Sequence, residues 1–96
     1  MTRDHLLSEL RQLKPQLNQR YGLKRMALFG SYSQNKAKSD SDIDLVVELA
    51  EWDLFTLVHL KEELEKDLEK PVDLIPFSDS MNQFLKMRIL RESVDI

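Results

Sequence analysis

The sequence predicts one α/β (α+β) domain over residues 1–96, built as a small mixed sheet covered by helices. Three observations point there. The chain has only 96 residues, near the small end of sizes that fold alone. Its hydrophobic periodicity changes along the chain in the order α-α-β-β-α-β-α, which needs a sheet with helices packed on it. Leucines recur at three- and four-residue intervals in two long segments, marking helix faces directed at a core.

The first helical segment carries Leu7, Leu10, Leu13 and Leu17 at helical spacing. Pro15 interrupts it, and proline suits a first turn, so two short helices are expected, about 3–13 and 15–20, ended by Tyr21-Gly22. Residues 25–30, Arg-Met-Ala-Leu-Phe-Gly, read as a buried strand. Residues 31–41 are rich in Ser, Lys and Asp, and predict a loop with room for one helical turn after Ser31. A second strand follows at about 42–49. Asp53 is a suitable N-cap for a helix over 54–69, with Trp52 and Leu57 placed as a hydrophobic staple. Leu57, Leu60, Leu64 and Leu68 form its apolar stripe. A third strand, 72–75, lies between Pro71 and Pro76. A last helix, about 80–92, is expected to turn Phe84, Leu85, Ile89 and Leu90 inward.

Composition excludes several functions. A formal charge of −3, with Lys and Arg scattered among acids, argues against a direct nucleic-acid binder, which clusters its cations. No apolar run approaches the roughly 18–20 residues of a membrane span, and the first residues lack the apolar core of a signal peptide. With no cysteine there is neither a disulfide framework nor a thiolate metal site. A soluble cytoplasmic protein is the expectation, with no membrane partner.

The chemistry-bearing segment is Phe29-Gly30-Ser31, ten residues, then Asp42-Ile43-Asp44-Leu45-Val46-Val47. Alternation along a strand puts Asp42 and Asp44 on one face and Ile43, Leu45 and Val47 on the other. Two carboxylates about 6–7 Å apart on one face repel each other and lose solvation. A cation offsets both penalties, and hard oxygen ligands that leave positions open to phosphates suit Mg²⁺. Asp73, between Val72 and Leu74 in a short strand, completes a triad if that strand lies beside the second. Burial would make its charge costly without a counter-ion. Gly30-Ser31 sits where a strand gives way to a turn, so backbone N–H groups and the Ser31 hydroxyl can meet a phosphate closely. Asp40, Asp42, Asp44 and Glu51 match positions 1, 3, 5 and 12 of a calcium loop. Position 6 of that loop requires glycine and is Leu45 here, so the calcium loop is rejected. Lys36 and Lys38 read as solvated loop cations, His5 and His59 as surface or packing residues, and Lys86, Arg88 and Arg91 as cations near a helix C-terminus. Tyr32 either packs over a nucleotide or covers the loop.

Together, the strand, Gly30-Ser31, the ten-residue gap, Asp42-x-Asp44 and a third acid at Asp73 resemble the DNA polymerase β-type nucleotidyltransferase superfamily. The length resembles its minimal nucleotidyltransferases (MNT), many of them antitoxin-like, and the likeness covers essentially the whole chain. It implies the nucleotidyltransferase fold, with Gly30 and Ser31 on the triphosphate of ATP. Asp42, Asp44 and Asp73 would be catalytic acids and metal ligands for two Mg²⁺ (or Mn²⁺) ions, Asp73 on the nucleophile side. It further implies a HEPN-domain toxin as partner, silenced by transfer of AMP to a tyrosine hydroxyl. Many relatives have a second glycine four residues after the serine, and Asn35 stands there in this chain. The rival reading is an antitoxin that neutralises its partner by binding alone. A sugar- or aminoglycoside-modifying transferase lacks an evident acceptor domain.

Overall fold

The computed structural model describes all residues, Met1–Ile96. The elements run α1 (Arg3–Tyr21), β1 (Leu23–Phe29), α2 (Gly30–Ser33), β2 (Ile43–Leu49), α3 (Leu54–Leu68), β3 (Val72–Pro76), α4 (Gln83–Glu92) and β4 (Val94–Asp95). The sheet is mixed, in the order β3-β2-β1-β4. β1 pairs antiparallel with β2 and with β4, whereas β2 and β3 are parallel, joined through α3.

Alternation sorts the strand residues onto two faces. Met26, Leu28, Ile43, Leu45, Val47 and Val72 join Leu6, Leu10 and Leu17 of α1 and Leu60, Leu64 and Leu68 of α3 in the main core. Ala27, Phe29 and Val46 face the other way, against Ile89 of α4. Helices therefore cover both faces, two on one side and the short α4 on the other.

The two expected N-terminal helices are one. Thr2 caps α1 by accepting from the His5 N–H, and Gly22, at φ +65°, ends it with its N–H donated to the Asn18 carbonyl. Pro15 lies inside the helix on its exposed side. Its ring removes one backbone hydrogen bond, but Leu6, Leu7, Leu10 and Leu17 stay in phase and buried on the opposite side, so packing keeps the helix continuous. The α3 boundaries and leucine stripe match expectation, with Asp53 accepting from the Phe55 N–H at 3.0 Å. Trp52, expected as a staple, lines an open cleft with Lys24, Leu49 and Phe77 and remains 48% exposed.

The inward set assigned to α4 is corrected. Ile89 is buried and Leu85 partly so, while Phe84 is 81% and Leu90 63% exposed. Leu85 and Ile89, four apart, form the strip that meets the sheet. Phe84, Met87 and Leu90, three apart, occupy the outer side of a helix with nothing above it. β4 was not expected, since two residues are too few for a periodic signal. It covers the free edge of β1, and the Ile96 N–H extends the pairing to the Met26 carbonyl at 3.0 Å.

A proline inside a helix costs about 3 kcal/mol relative to alanine, part of it returned by a stiffer unfolded chain. Pro15→Ala should therefore raise unfolding free energy by roughly 1–3 kcal/mol in urea titration. No change, or a loss, would mean that the backbone at Pro15 is held by something other than helix packing.

Candidate active site

The last residue of β1 and the first turn after it fix one wall of the site. Phe29 pairs with Asp44 across the β1–β2 ladder, and Asp44 pairs with Asp73 across β2–β3. Phe29, Asp44 and Asp73 thus stand side by side across three strands on the α4 face of the sheet. Gly30 follows Phe29 at φ +71°, a conformation that disfavours residues with a Cβ. A methyl at Gly30 would also collide with the Asp44 side chain, whose carboxyl carbon would lie at 3.1 Å and Cβ at 3.3 Å. Backbone torsion therefore favours glycine here, and a side chain would also displace the Asp44 carboxylate.

The turn is pinned on its inner side. Tyr32 is buried in the main core, which rules out packing over a nucleotide, one of its two expected roles. The Ser33 hydroxyl donates to the Gly30 carbonyl at 2.8 Å, and Arg3 donates to the Ser33 carbonyl at 3.2 Å. Gly30 and Ser31 are the partly exposed members of the turn. The first N–H groups of a helical turn have no partner within it, so the exposed side offers donors. Asn35 adopts φ +60°, the left-handed backbone that asparagine tolerates better than most residues. The glycine of the relatives is thus replaced without losing the turn, and the Lys36 N–H closes it on the Ser31 carbonyl at 2.8 Å. Lys36, Lys38, His5 and His59 are all exposed, as expected.

Asp42 lies just before β2 and is exposed; Asp44 is half-buried; Asp73 is exposed. The cost of burial expected at Asp73 falls instead on Asp44. Its pKa is raised, first by desolvation, then by the charge of Asp73 and then by that of Asp42. All three acids are therefore electrostatically coupled, yet none forms a salt bridge. No three acid or imidazole side chains converge closely enough to hold a metal ion by themselves. The donor set still fits a hard divalent cation, which takes one or two carboxylates and fills its remaining positions with water and substrate phosphates. One contact had no sequence signal. The Arg88 guanidinium of α4 lies 5.5 Å from the Phe29 ring centroid, next to the acids though distant in sequence.

Because the folded-state pKa of Asp44 is raised above its ordinary 3.8, the folded chain holds more protons than the unfolded one between those values. Metal-free stability must then fall as pH rises through that window and stay reduced above it. Asp44→Asn should be more stable than wild type at neutral pH, and the difference should vanish below the ordinary carboxylate range. Urea unfolding across pH checks this; parallel wild-type and variant curves would refute it.

Residues 10–96 match the family model described as a nucleotidyltransferase domain. A Methanocaldococcus jannaschii protein, provisionally named a protein adenylyltransferase, is 47% identical over 78 residues, covering 80% of this chain and 83% of its own length. A solved structure, provisionally described as a minimal nucleotidyltransferase, superposes with a TM-score of 0.82 at 31% identity, covering 100% of this chain and 97% of that one. A chain from tri-AMPylated Shewanella oneidensis HEPN toxin in complex with MNT antitoxin superposes with a TM-score of 0.59 at 26% identity, covering 97% of this chain and 66% of that one. With the Gly30-Ser31 turn set against paired acids on adjacent strands, the chain belongs to the nucleotidyltransferase domain family.

Proposed function

We propose that this chain is a metal-dependent protein adenylyltransferase that moves AMP from ATP to a tyrosine hydroxyl of a HEPN-domain toxin, and so acts as its antitoxin. The observation that carries the reading is the placement of the Asp44 carboxylate directly over Gly30, with Asp73 in register beside it. The relatives support the rest: one is named for adenylyl transfer, and another is solved with an AMPylated HEPN toxin. A cytoplasmic site of action, where ATP and a toxin meet, accords with this. No helix here is long and apolar enough to cross a membrane.

In this reading Gly30 and Ser31 hold the triphosphate, Ser31 through its hydroxyl and the turn through its N–H groups. Asp42 and Asp44 hold Mg²⁺ or Mn²⁺ against that triphosphate. Asp73, on the outer side of Asp44 from the turn, orients the acceptor hydroxyl for in-line attack on the α-phosphorus. The new bond is tyrosine oxygen to phosphorus; the broken bonds are the tyrosine O–H, whose proton passes to the Asp73 carboxylate, and the α–β phosphoanhydride, and pyrophosphate departs on the Gly30-Ser31 side. Two divalent ions held there would supply Lewis acidity to the attacking oxygen and countercharge to the leaving one. The chain itself contributes placement and charge. With so little surface beside the acids, the acceptor arrives on a separate protein.

The exposed stripe Phe84, Met87 and Leu90 keeps the binding-only antitoxin in view, because such a protein needs an apolar contact surface and no chemistry. One experiment separates the two. Asp42→Asn with Asp44→Asn should abolish transfer of label from α-labelled ATP to the toxin. The loss should exceed the roughly 10- to 100-fold typical when only supporting groups around a metal are removed. The folded variant should also cease to protect against the toxin. Full protection by the variant, with no label transferred by either form, would establish binding alone as the function.

A further inference from the structure

Arg88 stands apart from the other cations of the chain. α4 packs on the acid-bearing face of the sheet through Ile89, next in sequence to Arg88. The Arg88 guanidinium lies over the ring of Phe29. Phe29 immediately precedes Gly30 and pairs with Asp44. By strand order, Asp73, Asp44 and Phe29 follow one another across the sheet. Arg88 is therefore on the Gly30-Ser31 side of Asp44, opposite the side assigned to the acceptor. Its Nε faces Glu92 Oε2 at 3.5 Å, and neither Nη makes a hydrogen bond. The same Glu92 oxygen accepts from Gln34 Nε2 at 3.4 Å, and Gln34 is the residue that ends α2. The aromatic face and the shared carboxylate thus tie the guanidinium to the turn while leaving two N–H-bearing corners open.

We propose that Arg88 is a triphosphate-binding residue, its free Nη groups taking the β- or γ-phosphate of the donor nucleotide and later the departing pyrophosphate. The inference rests on the proposed nucleotidyl transfer and adds a cation that the acid motif does not contain. Its chemistry fits the position. Three clustered carboxylates and a triphosphate carry more negative charge than two divalent ions cancel, and a planar guanidinium binds phosphate oxygens in pairs. A cation resting on an aromatic face keeps its edge free for such bonds. Pairing with Glu92 on the helix surface and complementing the α4 C-terminus would otherwise be its whole role, and those contacts demand nothing of a nucleotide.

The test measures calorimetric affinity for ATP and for inorganic tripolyphosphate, both with Mg²⁺, in wild type, Arg88→Ala, Arg88→Lys and Arg91→Ala. Arg88→Ala should lose roughly 10- to 100-fold toward both ligands, the scale of a charged hydrogen bond. Arg88→Lys should recover part of the loss, and Arg91→Ala should match wild type. Unchanged urea midpoints would show that the variants fold normally. Equal ATP affinity in wild type and Arg88→Ala overturns the proposal. A loss toward ATP with none toward tripolyphosphate also overturns it, since Arg88 would then contact the nucleoside. If wild type itself binds neither ligand, the nucleotidyl-transfer reading fails first, independently of Arg88.

Discussion

The approach of the Asp44 carboxylate to the backbone of Gly30 is the constraint on which the rest of the site depends. It relies on a glycine immediately after β1, in a left-handed conformation. It also requires the antiparallel register that sets Phe29 opposite Asp44. A one-residue slip of β2 would turn Asp44 into the leucine core and bring a core residue to the surface. The dense packing of Ile43, Leu45 and Val47 against α1 and α3 therefore serves the site as much as the fold. The buried Tyr32 ring and the Ser33–Gly30 hydrogen bond keep the turn from relaxing away from Asp44.

This arrangement opposes stability. Three carboxylates are gathered at one end of a sheet, and the middle one is partly desolvated without a salt bridge. Such a cluster is unfavourable for an empty protein and favourable once cations and phosphates arrive. Stability is supplied elsewhere, by leucines of α1 and α3 and by the parallel β2–β3 pair that α3 connects. The separation is physical: one face of the sheet is sealed by two long helices, while the other is only partly covered by α4 and carries the acids.

Much of this was legible in the sequence, for identifiable reasons. Period-two alternation in Asp42–Leu49 separated acids from core residues, and helical spacing marked Leu57, Leu60, Leu64 and Leu68. Asn35 stands where many of the resembling proteins have glycine, and its φ of +60° is a left-handed backbone that asparagine tolerates. Errors arose where tertiary packing overrode a local rule. Pro15 is a helix breaker by propensity, but buried leucines on either side of it hold α1 together. Phe84 and Leu90 are apolar, yet burial is a one-way tendency and α4 has only one face against the sheet. The burial cost assigned to Asp73 belongs to Asp44, because β3 is an edge strand and β2 is central. Arg88 over Phe29, and β4 on β1, depend on where the chain returns after α3, which no local pattern encodes.

The central claim of the proposed function is that Asp42 and Asp44, with Asp73 beside them, hold divalent cation against a triphosphate on Gly30-Ser31. Calorimetric titration of the isolated chain with ATP, in Mg²⁺ and again in EDTA, tests it most directly. The account predicts saturable binding with the metal and none detectable without it. Equal affinity in EDTA would contradict it, because acids of like charge cannot attract a polyanion unaided.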